Sequence, residues 1–227
     1  MRTIKMVVFD MAGTTVNEHN LVYRTVLKVI NDEGFKLTLD DVLQHGAGKE
    51  KHKAITDVLT ACTDTEDVRP VADRAFAAFK PALERAYDEQ EIGTFTGMEL
   101  FFERLRNKGI IVALNTGYDR KTATKLISKL HWREEADFDV LITADDVEKG
   151  RPFPDMIERA MRQFRITDAG SVLKAGDSVI DIEEGKNAGC GITVGVLSGA
   201  QTREQLELAR PDYILNAVTE LDAILLN

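Results

Sequence analysis

Short, mainly apolar runs, most of them followed by an amphipathic stretch, recur along much of this chain. That alternation limits its fold more than any other feature. Residues 4–9, 110–114, 138–142, 172–175 and 192–196 are brief, β-rich and apolar on both faces, as parallel strands covered by helices are. Residues 98–107, 120–130, 154–164 and 180–188 between them carry helical patterning. Gly109, Gly189 and Gly191 fall where helices should hand over to strands.

Strand–helix units of this length predict an α/β fold: a Rossmann-like parallel sheet with helices on both faces. Residues 20–90 break the pattern, because no strand signal appears there. Leu21, Val22, Val26, Val29 and Ile30 make one helical stripe closed by Gly34. His52, Ile55, Leu59 and Cys62 make a second, and Val71, Ala75, Phe79 and Leu83 a third. Thr38 ahead of Leu39-Asp40-Asp41 reads as an N-cap with acidic residues in the first turn. The block is predicted to be an all-helical cap subdomain, residues 18–92, inserted into a core made of residues 1–17 and 93–227.

A length of 227 residues with 44% apolar and 30% charged side chains suits a globular core. A net charge of −9 without basic clusters argues against nucleic acid or an anionic membrane as partner. No apolar run approaches the ~20 residues of a membrane span, and no signal-peptide pattern is visible at the N-terminus. Cys62 and Cys190 form no spacing motif, which suits reduced thiols and a cytoplasmic protein.

Ligands of parallel α/β sheets bind beyond the carboxyl ends of the strands, so those positions carry the candidate chemistry. The first strand ends in Asp10. The second ends in Asn115-Thr116-Gly117-Tyr118. After the third come Asp145-Asp146 and Lys149-Gly150-Arg151-Pro152. The fourth ends in Gly176-Asp177, with Asp181 one turn on. One such aspartate alone is more often a helix cap than a catalyst. Four equipped strand ends together suit a hard divalent cation and a phosphoryl group.

The set resembles the haloacid dehalogenase superfamily of aspartate-nucleophile phosphotransferases. The matching segments are FDMAGT at 9–14, Thr116, a basic residue around Arg151, and GDSVID at 176–181. Phosphatases of that superfamily place a second aspartate, the general acid and base, two residues after the nucleophile. Here Ala12 stands there, and general acid–base help is worth ~10²–10⁴-fold. The alanine form resembles the phosphonatase branch, as do TGYDR at 116–120, GRPFPDM at 150–156 and GDSVIDIEEGKNAG at 176–189. Two departures are VNEHNLVYRTVL after Thr15 and Asp155 where that branch favours tryptophan.

The resemblance implies Mg²⁺ held by Asp10, the backbone carbonyl of Ala12 and Asp177, with Asp181 as a further or outer ligand. It implies Asp10 as nucleophile, with Thr116, the Gly117 amide and Arg151 on the phosphoryl oxygens and Lys149 as the alternative cation. Phosphonatases cleave a carbon–phosphorus bond through an imine on a cap lysine. Gly46 to His52 resembles their G-x-x-K-x-x-H segment, which implies Lys49 as that lysine, with His52 and Tyr118 assisting. Stepping the second stripe back from His52 also lands on Lys49, at the expected start of the helix. The substrate would be a small phosphonate; a small phosphate monoester is the alternative, and a catalytically silent phospholigand-binding protein a third reading. Dimers of that branch pair through the cap, so a homodimer is implied, with the 21–30 stripe as its candidate contact.

Overall fold

The computed structural model describes residues 3–226. In chain order the elements begin β1 (Met6–Asp10), β2 (Val16–Asn17), α1 (Leu21–Asp32), α2 (Leu39–Gly46), α3 (Lys51–Cys62) and α4 (Arg69–Glu89). There follow β3 (Gly93–Thr94), α5 (Met98–Asn107), β4 (Ile111–Asn115), α6 (Arg120–Lys129), β5 (Val140–Ile142) and α7 (Asp155–Gln163). The last are β6 (Val172–Gly176), α8 (Val179–Asn187), β7 (Ile192–Val196), α9 (Arg203–Leu208), β8 (Tyr213–Leu215) and α10 (Asp222–Leu225). By packing, the chain divides into two compact units, Met1–Asn17 with Ile92–Asn227, and Glu18–Glu91.

In the first unit six parallel strands run in the order β5-β4-β1-β6-β7-β8. The chain builds outward from β1 through β4 to β5, then crosses to the other side of β1 for β6. That reversal makes the carboxyl end of β1 a topological switch point, where parallel sheets open a crevice for ligands.

Side-chain alternation separates the two faces. Met6, Val8, Ala113 and Val172 pack with Met156, Ile157, Ala160 and Met161 of α7. On the opposite face Phe9 stacks on Phe102 of α5, ring centroids 5.9 Å apart. Both faces are therefore covered, as an apolar run such as MVVF requires. Two features had no sequence signal: the β2–β3 pair, two residues a side, and the half-exposed edge strand β8.

In the second unit the helices α1 to α4 bury their own stripes. Thr38 caps α2 as expected: its hydroxyl accepts from the Asp41 amide, whose carboxylate accepts from the Thr38 amide at 2.8 Å. Inside this unit Tyr87 donates to the buried Glu18 carboxylate. Two expectations are corrected. Helix α3 starts at Lys51, not Lys49, because the Glu50 carboxylate caps it by accepting from the His52 and Lys53 amides. The stripe of α1 is not a free dimer contact: Val22, Val26, Val29 and Ile30 are buried within the single chain, where α1 packs on α4. Among the described residues no helix is long and apolar enough to cross a membrane.

Candidate active site

Parity and register bring the first residues of the site together. Asp10, the last residue of β1, lies opposite Asn115 of β4, and Val8 lies opposite Lys174 of β6. All three polar residues share the face that holds Met6, Val8, Ala113 and Val172. The strands thus carry a carboxylate, an amide and an ammonium to one edge, each almost wholly buried.

Arg151, from the loop before α7, closes the cluster. Its Nη1 donates to Asp10 Oδ1 at 2.6 Å and lies 2.9 Å from Asp181 Oδ1. Its Nη2 donates to the Asn115 backbone oxygen at 2.9 Å and to Asn115 Oδ1 at 2.7 Å. Its Nε lies 3.1 Å from Glu184 Oε2. The fork of a guanidinium suits these separate directions, which a single ammonium could not span.

Lys174 completes the arrangement from behind. Its Nζ donates to Asn115 Oδ1 at 2.7 Å and lies 3.0 Å from Asp181 Oδ1 and 3.2 Å from Glu184 Oε2. Asn115 Nδ2 donates to both Glu184 oxygens, at 2.8 and 3.0 Å. Asp181 also accepts from the Ser178 hydroxyl at 2.5 Å. Burial alone would raise the Asp181 carboxyl, but Arg151 and Lys174 hold it below the ordinary value. The same three carboxylates keep the Arg151 guanidinium charged despite its burial.

Asp10 and Asp177 behave differently. Burial raises the Asp10 carboxyl; Arg151 and Lys174 oppose the rise and Asp181 adds to it. Asp177 is raised well above the carboxylate range by burial, then by the charges of Asp10 and Asp181. It is not a helix cap: Ser178 occupies that position before α8, and Asp177 Oδ2 accepts instead from the Ala200 amide at 2.7 Å. The backbone crowds this carboxylate from two sides. A Cβ on Gly13 would come within 2.5 Å of Asp177 Oδ2, and one on Gly199 would overlap it.

Two buried carboxylates that both resist ionising leave a deficit of positive charge between them. Oxygen donors in that state fit a hard divalent cation. Among the described residues no three His, Cys, Asp or Glu side chains converge as a ready ligand set. Asp181 is turned to Ser178, Arg151 and Lys174, so further donors beside Asp10 and Asp177 would be backbone carbonyl, such as that of Ala12, and water. Both cysteines are free, and burial pushes the Cys190 thiol up to about 12.

The remaining expected residues fall in three places. Thr116 is buried just past β4, and its Oγ1 accepts from the Tyr118 amide at 3.2 Å, leaving its hydroxyl proton to donate. Gly117, between them, has open space around it. The Lys149 ammonium sits over the Phe153 ring, 5.1 Å from its centroid, where Arg151 sits against Asp10. Lys49 and His52 belong to the second unit. Lys49 Nζ donates to Asp57 Oδ2 at 2.5 Å, Lys53 shares that carboxylate, and His52 Nε2 lies 2.6 Å from Asp73 Oδ1. Residue-by-residue reading missed Lys174, Glu184 and the side chain of Asn115. Their signals were a lysine inside the apolar run VLKAG and a glutamate three residues after Asp181 on one helix face.

The family model described as haloacid dehalogenase-like hydrolase matches residues 7–195, a span that holds β1, the Arg151 loop and the Asp177 turn. The chain belongs to this family. As a haloacid dehalogenase-like hydrolase, it carries Asp10 three residues after the match begins. It is 29% identical to phosphonoacetaldehyde hydrolase of Latilactobacillus sakei over 99% of this chain and 96% of that protein. It is 28% identical to phosphonoacetaldehyde hydrolase of Bacillus cereus strain AH187, covering 94% of this chain and 89% of that one. In fold it resembles a phosphonoacetaldehyde hydrolase-like protein from Oleispira antarctica, with a TM-score of 0.80 and 23% identity over 99% and 92% of the two chains. It also resembles a phosphoglycolate phosphatase described as putative from Lactobacillus delbrueckii, with a TM-score of 0.81 and 19% identity over 99% of each.

Proposed function

We propose that this hydrolase is Mg²⁺-dependent and cleaves the carbon–phosphorus bond of phosphonoacetaldehyde or a closely related phosphonate. The observation that carries the reading is Asp10 itself. It is a buried carboxylate at the switch point, oriented by Arg151, with alanine two residues on where a proton donor would serve an ester leaving group. The full-length likeness to curated phosphonoacetaldehyde hydrolases supports the same substrate class.

Asp10 and Asp177, with the Ala12 carbonyl, would hold the cation, which when bound offsets the charge of the phosphoryl oxygens and the nucleophile. Thr116 donates its hydroxyl and Gly117 its amide to those oxygens. Arg151 fixes the Asp10 carboxylate, leaving one oxygen to attack. The Lys49 amine condenses with the aldehyde, releasing water and giving a protonated imine. As Asp10 bonds to phosphorus, the C–P electron pair flows into the imine as an enamine, so no proton donor beside Asp10 is needed. Protonation at carbon and hydrolysis return acetaldehyde and Lys49; water then cleaves the aspartyl-phosphate to phosphate and Asp10. Lys53 has a part here, because it keeps Asp57 paired when Lys49 leaves it.

Borohydride reduction in the presence of phosphonoacetaldehyde, followed by peptide mapping, tests the reading. The expected result is a reduced adduct on Lys49 and loss of turnover in Lys49→Ala. A second reading, a phosphate-monoester phosphatase, draws on the 2.5 Å Lys49–Asp57 ion pair, since an ammonium bound to a carboxylate is not a nucleophile. It requires turnover of a sugar phosphate, no adduct on any lysine, and unchanged activity in Lys49→Ala.

A further inference from the structure

Behind Asp10 the polar groups form a closed ring. Arg151 Nη2 donates to Asn115 Oδ1 at 2.7 Å, and Lys174 Nζ donates to the same oxygen at 2.7 Å. Lys174 then reaches Glu184 Oε2 at 3.2 Å, and Glu184 Oε2 returns to Arg151 Nε at 3.1 Å. Asn115 braces the ring from inside by donating to both oxygens of Glu184. Glu184 and Lys174 are completely buried, so the ring is not a solvated surface network.

We propose that Lys174 and Glu184 are positioning residues, which hold the Arg151 guanidinium in the one orientation that aims Nη1 at Asp10. The claim rests on the reading of Asp10 as the nucleophile. Lys174 has no contact of its own with Asp10, so it acts through Arg151 and Asn115.

Charge balance alone would not require this geometry. Arg151 faces three carboxylates: Asp10, Asp181 and Glu184. Without a second cation, Asp181 and Glu184 would both draw on the guanidinium and pull it from the nucleophile. Lys174 takes a share of each, at 3.0 and 3.2 Å. The shared Asn115 oxygen adds what a neutralising lysine has no need of: a bond that ties the two cations together. Glu184 faces the far edge of the fork as an ion partner, its Oε2 3.1 Å from Nε without a hydrogen bond, and its charge there favours one setting of the guanidinium plane. A displacement of about 1 Å in a catalytic group can cost on the order of 10²-fold, which sets the size of the effect.

The test uses the full chain with Lys174→Met, Glu184→Gln and the double variant, which removes one charge of each sign. Two readouts are taken. One is the rate at which Asp10 is phosphorylated by acetyl phosphate with Mg²⁺. The other is the ¹⁵N resonance of the Arg151 Nε–H group, assigned by its disappearance in Arg151→Lys. The expected result for the double variant is a folded protein with phosphorylation slowed on the order of 10²-fold, KM for acetyl phosphate nearly unchanged, and Arg151 Nε–H exchanging rapidly with water. A double variant with wild-type rate and a wild-type resonance overturns the proposal and leaves Lys174 and Glu184 as a structural pair. If the double variant does not fold, Glu184→Gln, which keeps volume and both cations, decides by the same two readouts. If the wild type is not phosphorylated at all, the nucleophile reading fails, and the resonance alone decides whether the ring holds Arg151.

Discussion

Arg151 Nη1 lies 2.6 Å from Asp10 Oδ1, a bond between residues 141 positions apart. It places the only cation in direct contact with Asp10 among the described residues, and makes that cation part of a larger charge cluster. Arg151→Lys is expected to keep the charge but lose the fork, since one ammonium cannot reach Asp10, Asn115 and Glu184 together. Loss of one such oriented donor costs about 10²–10³-fold in kcat, and steady-state turnover measures it. Arg151→Met would leave Asp10 without a cation in contact and Asp181 and Glu184 facing Lys174 alone. Breaking a buried pair on one side costs about 3–5 kcal/mol, so the melting temperature should fall steeply.

Gly199 is where Asp177 is most exposed to a small change in the backbone. Gly199→Ala places a methyl group on Asp177 Oδ2, which must swing off the Ala200 amide to escape it. Overpacking of this kind costs about 1–3 kcal/mol. The expected signature is a modest drop in stability with a much larger loss of Mg²⁺-dependent activity. Calorimetric titration with MgCl₂ should show affinity reduced at least as strongly as turnover. An unchanged Mg²⁺ affinity would remove Asp177 from the cation site.

In the second unit, Tyr87 and Glu18 join the two ends of the helical segment through a buried hydrogen bond. Tyr87→Phe keeps the ring packing and deprives a buried carboxylate of a donor. Glu18 keeps the Val22 amide, so the cost is that of one hydrogen bond to a charged group, about 1.5–3 kcal/mol. Chemical denaturation should show a loss of this size while Asp10 phosphorylation by acetyl phosphate stays at the wild-type rate.

How much of this was legible in the sequence depends on the range of the interaction. The strand ends were visible because Asp10, Thr116 and Asp177 interrupt apolar runs locally, and because βαβ units put such ends on one side of the sheet. The Thr38–Asp41 box was visible because it is made within one turn. Lys174, Glu184 and Asn115 were not, because their meaning comes from neighbours 59 and 69 positions apart. The start of α3 was misplaced by two residues because a stripe of period 3.6 says nothing about which residue caps it. Glu50 settles that locally, through two backbone amides. The α1 stripe was read as a contact for a second copy, but an apolar face does not say which partner covers it. Here α4 does.

The final prediction concerns pH and metal together. Asp177 is raised well above its ordinary value, first by burial and then by the Asp10 and Asp181 charges. An acid raised in the folded state favours folding fully below its unfolded value, about pH 4. That contribution is lost as pH rises through its higher folded-state value. Asp177→Asn removes the penalty of the buried charge, so in EDTA its melting temperature relative to wild type should climb as pH rises from about 4 to 8. Mg²⁺ should reverse the order. A cation competes with protons for the same oxygens, so its stabilisation of the wild type should grow over the same interval. At 100 times Kd that amounts to about 2.7 kcal/mol. The asparagine variant should gain little from the ion at any pH. Thermal scans of both proteins with EDTA and with MgCl₂ give the four curves. Parallel curves for wild type and variant in EDTA would show that Asp177 ionises in the folded chain as easily as in the unfolded one.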